Sequence, residues 1–233
     1  MDTPVEIKLS AKKIKKEFTE IFLNKSTLNS RNRKRGMLDT SGLWKYGVDD
    51  FNLFKKKGKP EETDYAFYLL IDGSGSMGMD GKFEEAYRAT SLLEEAISEF
   101  APLRIVQFNC LGRKVNHNII KDYEQVKKGK NYSWTFVNNH KADGCNMDGY
   151  SIRVATAEIN KRPERKKVLI ILSDGLPSGE GGYYGEEAET DVKKAIREAR
   201  KNKIDVFNIM FGDERERAEN LPNFKYMYEK CII

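Results

Sequence analysis

Asp72, Ser74 and Ser76 occupy every second position in the run Ile71-Asp72-Gly73-Ser74-Gly75-Ser76-Met77. One carboxylate and two hydroxyls are hard oxygen donors, and alternate residues on a turn can point the same way. Oxygens crowded like this suit a small divalent cation, Mg²⁺ first, with Mn²⁺ and Ca²⁺ as the alternatives. Mg²⁺ asks for octahedral oxygen coordination at ~2.1 Å and keeps several waters. Two serines alone leave that shell incomplete. The two glycines let the backbone turn tightly and leave room around the side chains.

Such a turn needs rigid elements beneath it. Residues 66–72 form an apolar run that stops on Asp72, the pattern of a buried strand delivering its carboxylate at the C-terminal end. Helix 82–100 follows, with Phe83, Ala86, Tyr87, Thr90, Leu93, Ile97 and Phe100 on one stripe and Glu84, Glu85, Glu94 and Glu95 facing out. Strand 103–109 joins a second extended piece, 114–120, through a short turn at Gly112, which requires an antiparallel hairpin. Residues 121–146 read as irregular, anchored by Tyr132, Trp134 and Phe136. Beyond them the pattern predicts helix 148–161, strand 167–173, a Gly-rich loop over 179–185, helix 187–201 and strand 204–211. The tail 221–233 ends on Cys231-Ile232-Ile233, more like a strand than a loose terminus. This alternation predicts an α/β fold, a doubly wound, mainly parallel sheet with helices on both faces and one antiparallel edge strand. Ligands of such sheets sit at the carboxyl ends of strands, where Asp72 and Asp174 both fall.

Three motifs then read together: Asp72-Gly73-Ser74-Gly75-Ser76, Asn146-Met147-Asp148-Gly149 and Leu172-Ser173-Asp174-Gly175. In order and separation they resemble the three metal loops of von Willebrand factor A (VWA) domains with a metal-ion-dependent adhesion site. The resemblance spans roughly residues 64–215. It implies metal-site roles for Asp72, Ser74, Ser76, Asn146 and Asp174, with the serines bound directly and the aspartates acting through water. Most members carry a threonine where Asn146 stands. An amide oxygen can also ligate a hard cation, and Asp148 and Asp143 are the other candidates in that loop. Asn146-Met147-Asp148-Gly149, Leu172-Ser173-Asp174-Gly175-Leu176-Pro177 and the lead-in Arg33-Lys34-Arg35-Gly36-Met37-Leu38-Asp39 look most like the cobaltochelatase CobT-type branch. That likeness implies a non-catalytic module that docks an acidic residue of a partner protein through its metal, the partner being a AAA+ ATPase. Cobalt insertion itself does not carry over, because two histidines, His117 and His140, are too few for a chelation site.

Charge and composition set the boundaries of that picture. Of 233 residues, 39% are hydrophobic and 33% charged, and no apolar run nears the ~18 residues that span a bilayer. The stretch Met1–Glu6 lacks the apolar core of a signal peptide, and three cysteines, far apart in sequence, argue against a disulfide scaffold. A cytoplasmic protein is expected. Cys145 adjoins the second loop and reads most simply as a small filler. The net charge of +5 is uneven, since residues 1–60 carry 15 Lys and Arg against 7 Asp and Glu. They read as a basic N-terminal helical extension packing on a domain at 61–233, with an amphipathic helix over 10–24 capped by Ser10. Without basic-aromatic alternation, and with no membrane signal, neither nucleic acid nor membrane is the expected partner.

Enzyme alternatives fail on particular residues. A Mg²⁺-dependent phosphate-handling hydrolase at the same strand tip is the main one. The stretch Ser76 to Phe83 departs from a P-loop at both ends, with Ser76 for the first glycine and Phe83 for the metal-holding Ser/Thr. A haloacid-dehalogenase-like phosphatase needs a carboxylate where Ser74 stands. A serine hydrolase needs glycines around its serine, where Asp72 and Ser76 flank Ser74. Simple capping of the following helix explains any one residue, but three loops in register exceed it.

Overall fold

The computed structural model describes residues 5–23, 30–33, 37–38, 54–56, 64–112, 114–125, 131–137, 142–228 and 231–232. The chain divides into two units, one of residues Lys12–Asp64 and one of Met1–Ala11 with Tyr65–Ile233. Helix α1, Val5–Leu23, begins before Ser10, so that residue lies inside it rather than at its cap. In the Lys12–Asp64 unit, strands β1 (Ser30–Arg33), β2 (Met37–Leu38) and β3 (Phe54–Lys56) make a small antiparallel sheet in the order β1-β3-β2. The extension is therefore not purely helical. Residues 39–53, which include Leu43, Trp44, Phe51 and Leu53, lie outside the described residues.

The larger unit carries the site. Its strands β4 (Tyr65–Asp72), β5 (Leu103–Leu111), β6 (Lys114–Lys121), β7 (Lys166–Ser173), β8 (Ile204–Met210) and β9 (Cys231–Ile232) form one sheet in the order β6-β5-β4-β7-β8-β9. Among the described strands of this sheet only β6 runs antiparallel, paired to β5. The expected architecture holds, including a strand-like tail. Central β4 is sheltered on both faces and reads as one apolar run, as buried parallel strands do.

Residue alternation assigns the two faces. Ala66, Tyr68 and Leu70 join Ile152, Ala155 and Ile159 of helix α4 (Asp148–Asn160) and Val192, Ala195 and Ile196 of helix α5 (Gly185–Lys201) in one core. On the opposite face Phe67 meets Phe100 edge-on, beyond the end of helix α2, Lys82–Ile97. Each large apolar side chain buried this way contributes ~1.5–3 kcal/mol. Tyr68 adds a polar tie, its hydroxyl donating to Glu158 Oε2 at 2.7 Å.

Two helices depart from the sequence expectation. Helix α3, Tyr132–Val137, lies in the stretch expected to be irregular. Glu94, expected on the solvent face of α2, is buried, and its carboxylate accepts the Tyr132 and Ser133 N–H groups, both at 2.9 Å, and the Ser133 hydroxyl at 2.7 Å. It satisfies the unpaired donors at the start of α3, a job that sequence spacing assigns to no residue. Helix α6, Glu214–Tyr228, contains Pro222 and has little amphipathic pattern, so its signal was weak. Among the described residues no helix is long and apolar enough to cross a membrane.

Candidate metal centre

Neighbouring β4 and β7 are parallel, with Ile71 level with Leu172, so their carboxyl ends bring Asp72 and Asp174 to the same edge. Three loops meet there, stitched by backbone. Gly75 N–H donates to Gly144 O at 2.9 Å, Asp143 N–H to Gly73 O at 2.9 Å, and Asn146 N–H to Ser178 O at 2.8 Å. Gly149 closes the Asn146–Gly149 motif for a steric reason: a Cβ there would lie 2.0 Å from Asp191 Oδ2. Arg153 holds that carboxylate with two bonds, 3.1 and 2.8 Å.

Asp72 is fully buried. Its Oδ1 accepts the Ser74 N–H at 2.8 Å, and its Oδ2 accepts Ser173 Oγ at 3.3 Å and Asn146 Nδ2 at 3.4 Å. The hydroxyls of Ser74 and Ser76 lie 3.1 Å apart, and Ser76 Oγ donates to Asp174 Oδ1 at 3.0 Å. Ser74 is buried while Ser76 is exposed, so the pair bridges from interior to surface. Asp148 opens α4, and its buried Oδ2 has no hydrogen-bond partner among the described residues. Burial pushes Asp72 up to about 7, against the lowering effect of the Ser74 N–H, and the Asp174 charge adds to the rise. Burial, then the charge of Asp72, pushes Asp148 well above the carboxylate range.

All of the expected residues therefore gather at one sheet edge, but in different postures. Asn146 Oδ1 accepts the Ser178 N–H at 2.9 Å, which fixes the amide with its nitrogen facing Asp72. The oxygen expected to meet a cation is turned to the third loop. Asp143 is exposed and accepts its own neighbour's N–H, Gly144, at 2.7 Å. Asp148 is the carboxylate with a spare oxygen. Among the described residues no three His, Cys, Asp or Glu groups are placed to hold a metal by themselves, so any cation here also needs the serine hydroxyls. The donor set is all oxygen, with buried carboxyls whose raised pKa a cation would lower, which is the chemistry a hard divalent cation satisfies.

One contributor escaped sequence reasoning. Lys82, nearly buried, donates to Asp174 Oδ2 at 3.1 Å and to Glu216 Oε1 of α6 at 2.9 Å. Burial alone would lower its pKa, but the bonds to Glu216 and Asp174 outweigh it and raise it. A clue was present, since a lysine in the first turn of a helix opposes the dipole and needs a compensating partner.

A mostly parallel sheet, helices on both faces and oxygen-bearing loops at the strand tips define a VWA-type domain. Residues 67–224 match the family model described as von Willebrand factor type A domain, and the chain belongs to that family. It is 30% identical over 229 residues to the uncharacterized protein YojO of Bacillus subtilis (strain 168), a match covering 95% of this chain and 35% of YojO. It is 24% identical over 244 residues to Protein NorD of Stutzerimonas stutzeri, covering 97% of this chain and 38% of that protein. The chain thus spans little more than a third of these relatives. The PilB minor pilin from Streptococcus sanguinis superposes with a TM-score of 0.56 at 15% identity, over 76% of this chain and 59% of the pilin, a likeness of fold alone.

Proposed function

We propose that this VWA domain is a divalent-metal-dependent docking module, with Ser74, Ser76 and Asp148 as the direct ligands of Mg²⁺ or a similar ion. The observation that carries this is the buried Asp148 Oδ2 without a partner, in the same cluster as Asp72 and Asp174. Asp72 and Asp174 orient the serines and hold metal-bound water, and Asn146 orients Asp72. When bound, the cation supplies a Lewis-acidic point for an oxygen anion. Three protein ligands leave positions of an octahedral shell free, and exposed Ser76 puts them at the surface. The visiting group is then an Asp or Glu carboxylate of a second protein.

The partner we infer is a AAA+ ATPase, with the chain acting as a non-catalytic subunit, in line with its sequence likeness to the cobaltochelatase CobT-type branch. The match to YojO covers the basic extension as well as the VWA domain, which supports the two working as one piece. A phosphate-handling hydrolase gains no support, because Lys82, the basic group at the site, is engaged by two carboxylates. The test is capture of a AAA+ protein encoded beside this chain's gene, with Mg²⁺, with EDTA, and with Asp174→Ala. Capture should need Mg²⁺ and fall with the variant. Capture unaffected by both would reject metal-dependent docking.

A further inference from the structure

Strand β4 ends at Asp72, level with Phe108 of β5, yet β5 continues to Leu111. The edge that β4 vacates is taken over by the second loop at Cys145. Cys110 N–H donates to Cys145 O at 2.6 Å, and Cys145 N–H donates to Cys110 O at 2.8 Å. Residues that exchange both bonds across an antiparallel pair sit with Cα atoms about 5.5 Å apart and side chains on one face. That separation falls within the ~4.4–6.8 Å window of a disulfide. Both cysteines are free thiols. Cys145 Sγ donates to Cys110 O at 3.3 Å, and the Cys145 side chain adds to the rise in the Cys110 thiol's pKa. Cysteines 35 positions apart in sequence are thus brought side by side by topology while remaining free thiols.

Access to the pair is unequal. Cys110 is fully buried, its Sγ 3.0 Å from Gly112 O. Cys145 is half-buried, and the pair borders a surface crevice of about 280 Å³ with Gly112, Gly179 and Glu180. Burial and the neighbouring Cys145 push the Cys110 thiol up to about 11. The half-buried Cys145 is the thiol that an oxidant entering the crevice meets first. The loop has no slack: Gly144 sits at φ +78°, where a Cβ would lie 2.2 Å from Cys110 O.

We propose that Cys110 and Cys145 form a reversible redox pair that clamps the second loop to β5. The oxidant class is a peroxide. Cys145 sulfur attacks the O–O bond, is oxidised to a sulfenic acid, and one water leaves. Cys110 sulfur then attacks Cys145 sulfur, the S–S bond forms, the S–O bond breaks, and a second water leaves. Two thiols and one hydrogen peroxide give one disulfide and two waters, and a dithiol reductant reverses the change. The disulfide closes the ring 110–145, which contains Gly144, and pins the chain one residue before Asn146, so it stiffens the second loop.

The experiment uses the full chain carrying Cys231→Ser, treated with hydrogen peroxide and then with dithiothreitol. Thiol titration should fall from two to none and recover on reduction. Non-reducing peptide mapping should show Cys110 joined to Cys145. Amide hydrogen exchange at 143–148 should slow at least tenfold on oxidation, and Tm should rise on the order of 5–10 °C. Cys145→Ser should abolish the linked peptide. Two thiols surviving peroxide, cross-links only between chains, or exchange unchanged by the disulfide would overturn the proposal. None of these readouts depends on metal, so failure here is separate from failure of the docking role.

Discussion

Replacing Asp72 by Asn in protein kept in EDTA isolates the cost of holding a carboxylate ready at the strand tip. Asp72 is fully buried, and burial raises its pKa from 3.8 to about 7. Because the folded value lies above the unfolded one, its contribution to stability is fully present below pH ~4 and is lost as pH rises through 7. At ~1.4 kcal/mol per pKa unit, that loss is at most about 4 kcal/mol by pH 8. Asparagine removes the charge and still offers one oxygen to the Ser74 N–H, but it leaves a bond to Ser173 or Asn146 unmade, at ~1 kcal/mol. The metal-free variant should therefore be more stable than wild type at pH 8 by about 2–3 kcal/mol, or roughly 5–10 °C in Tm. At pH 5 the wild-type carboxyl is protonated and the gain should shrink towards zero or reverse. Urea melts of both proteins at pH 5 and pH 8 measure the difference. A variant less stable than wild type at pH 8, or a difference that does not change with pH, would refute the reasoning.

Other perturbations probe the supports of the site. Lys82→Met removes the cation beside Asp174 and should destabilise the metal-free protein by about 2–4 kcal/mol. Saturating Mg²⁺ should recover most of that in thermal melts, since a bound cation replaces the lost positive charge. Glu94→Ala removes three hydrogen bonds at the start of α3 and should cost about 2–3 kcal/mol in urea unfolding. Glu94→Gln, which keeps an acceptor, should cost less. Mg²⁺ affinity of wild type, followed by calorimetry, should rise with pH through 7, because the cation must displace protons from the Asp72 and Asp148 carboxyls, both raised by burial.

The sheet was legible because its parallel strands are unbroken apolar runs that end on polar turn residues. Asp72 and Asp174 could be placed at strand tips from that pattern alone. What stayed hidden lay in side-chain direction. Nothing in Asn146-Met147-Asp148 says that the asparagine oxygen turns to Ser178, leaving Asp148 with the spare oxygen. Helical spacing put Glu94 on the outer face, but a helix 38 residues downstream claims its carboxylate. Lys82 could be recognised only by the oddity of its position in the first turn of α2. Cys110 and Cys145 meet because β4 is shorter than β5, a matter of sheet register that a linear sequence does not display.

The most direct measurement is an electron paramagnetic resonance titration of Mn²⁺ into wild type and into the Ser74→Ala, Ser76→Ala double variant, with Mg²⁺ as competitor. One Mn²⁺ should bind per wild-type chain and be displaced by Mg²⁺. The double variant should bind none while melting within about 1 kcal/mol of wild type in EDTA. Saturable binding that is undiminished in the double variant, or no binding by wild type at millimolar Mn²⁺, would contradict a cation held by these serines.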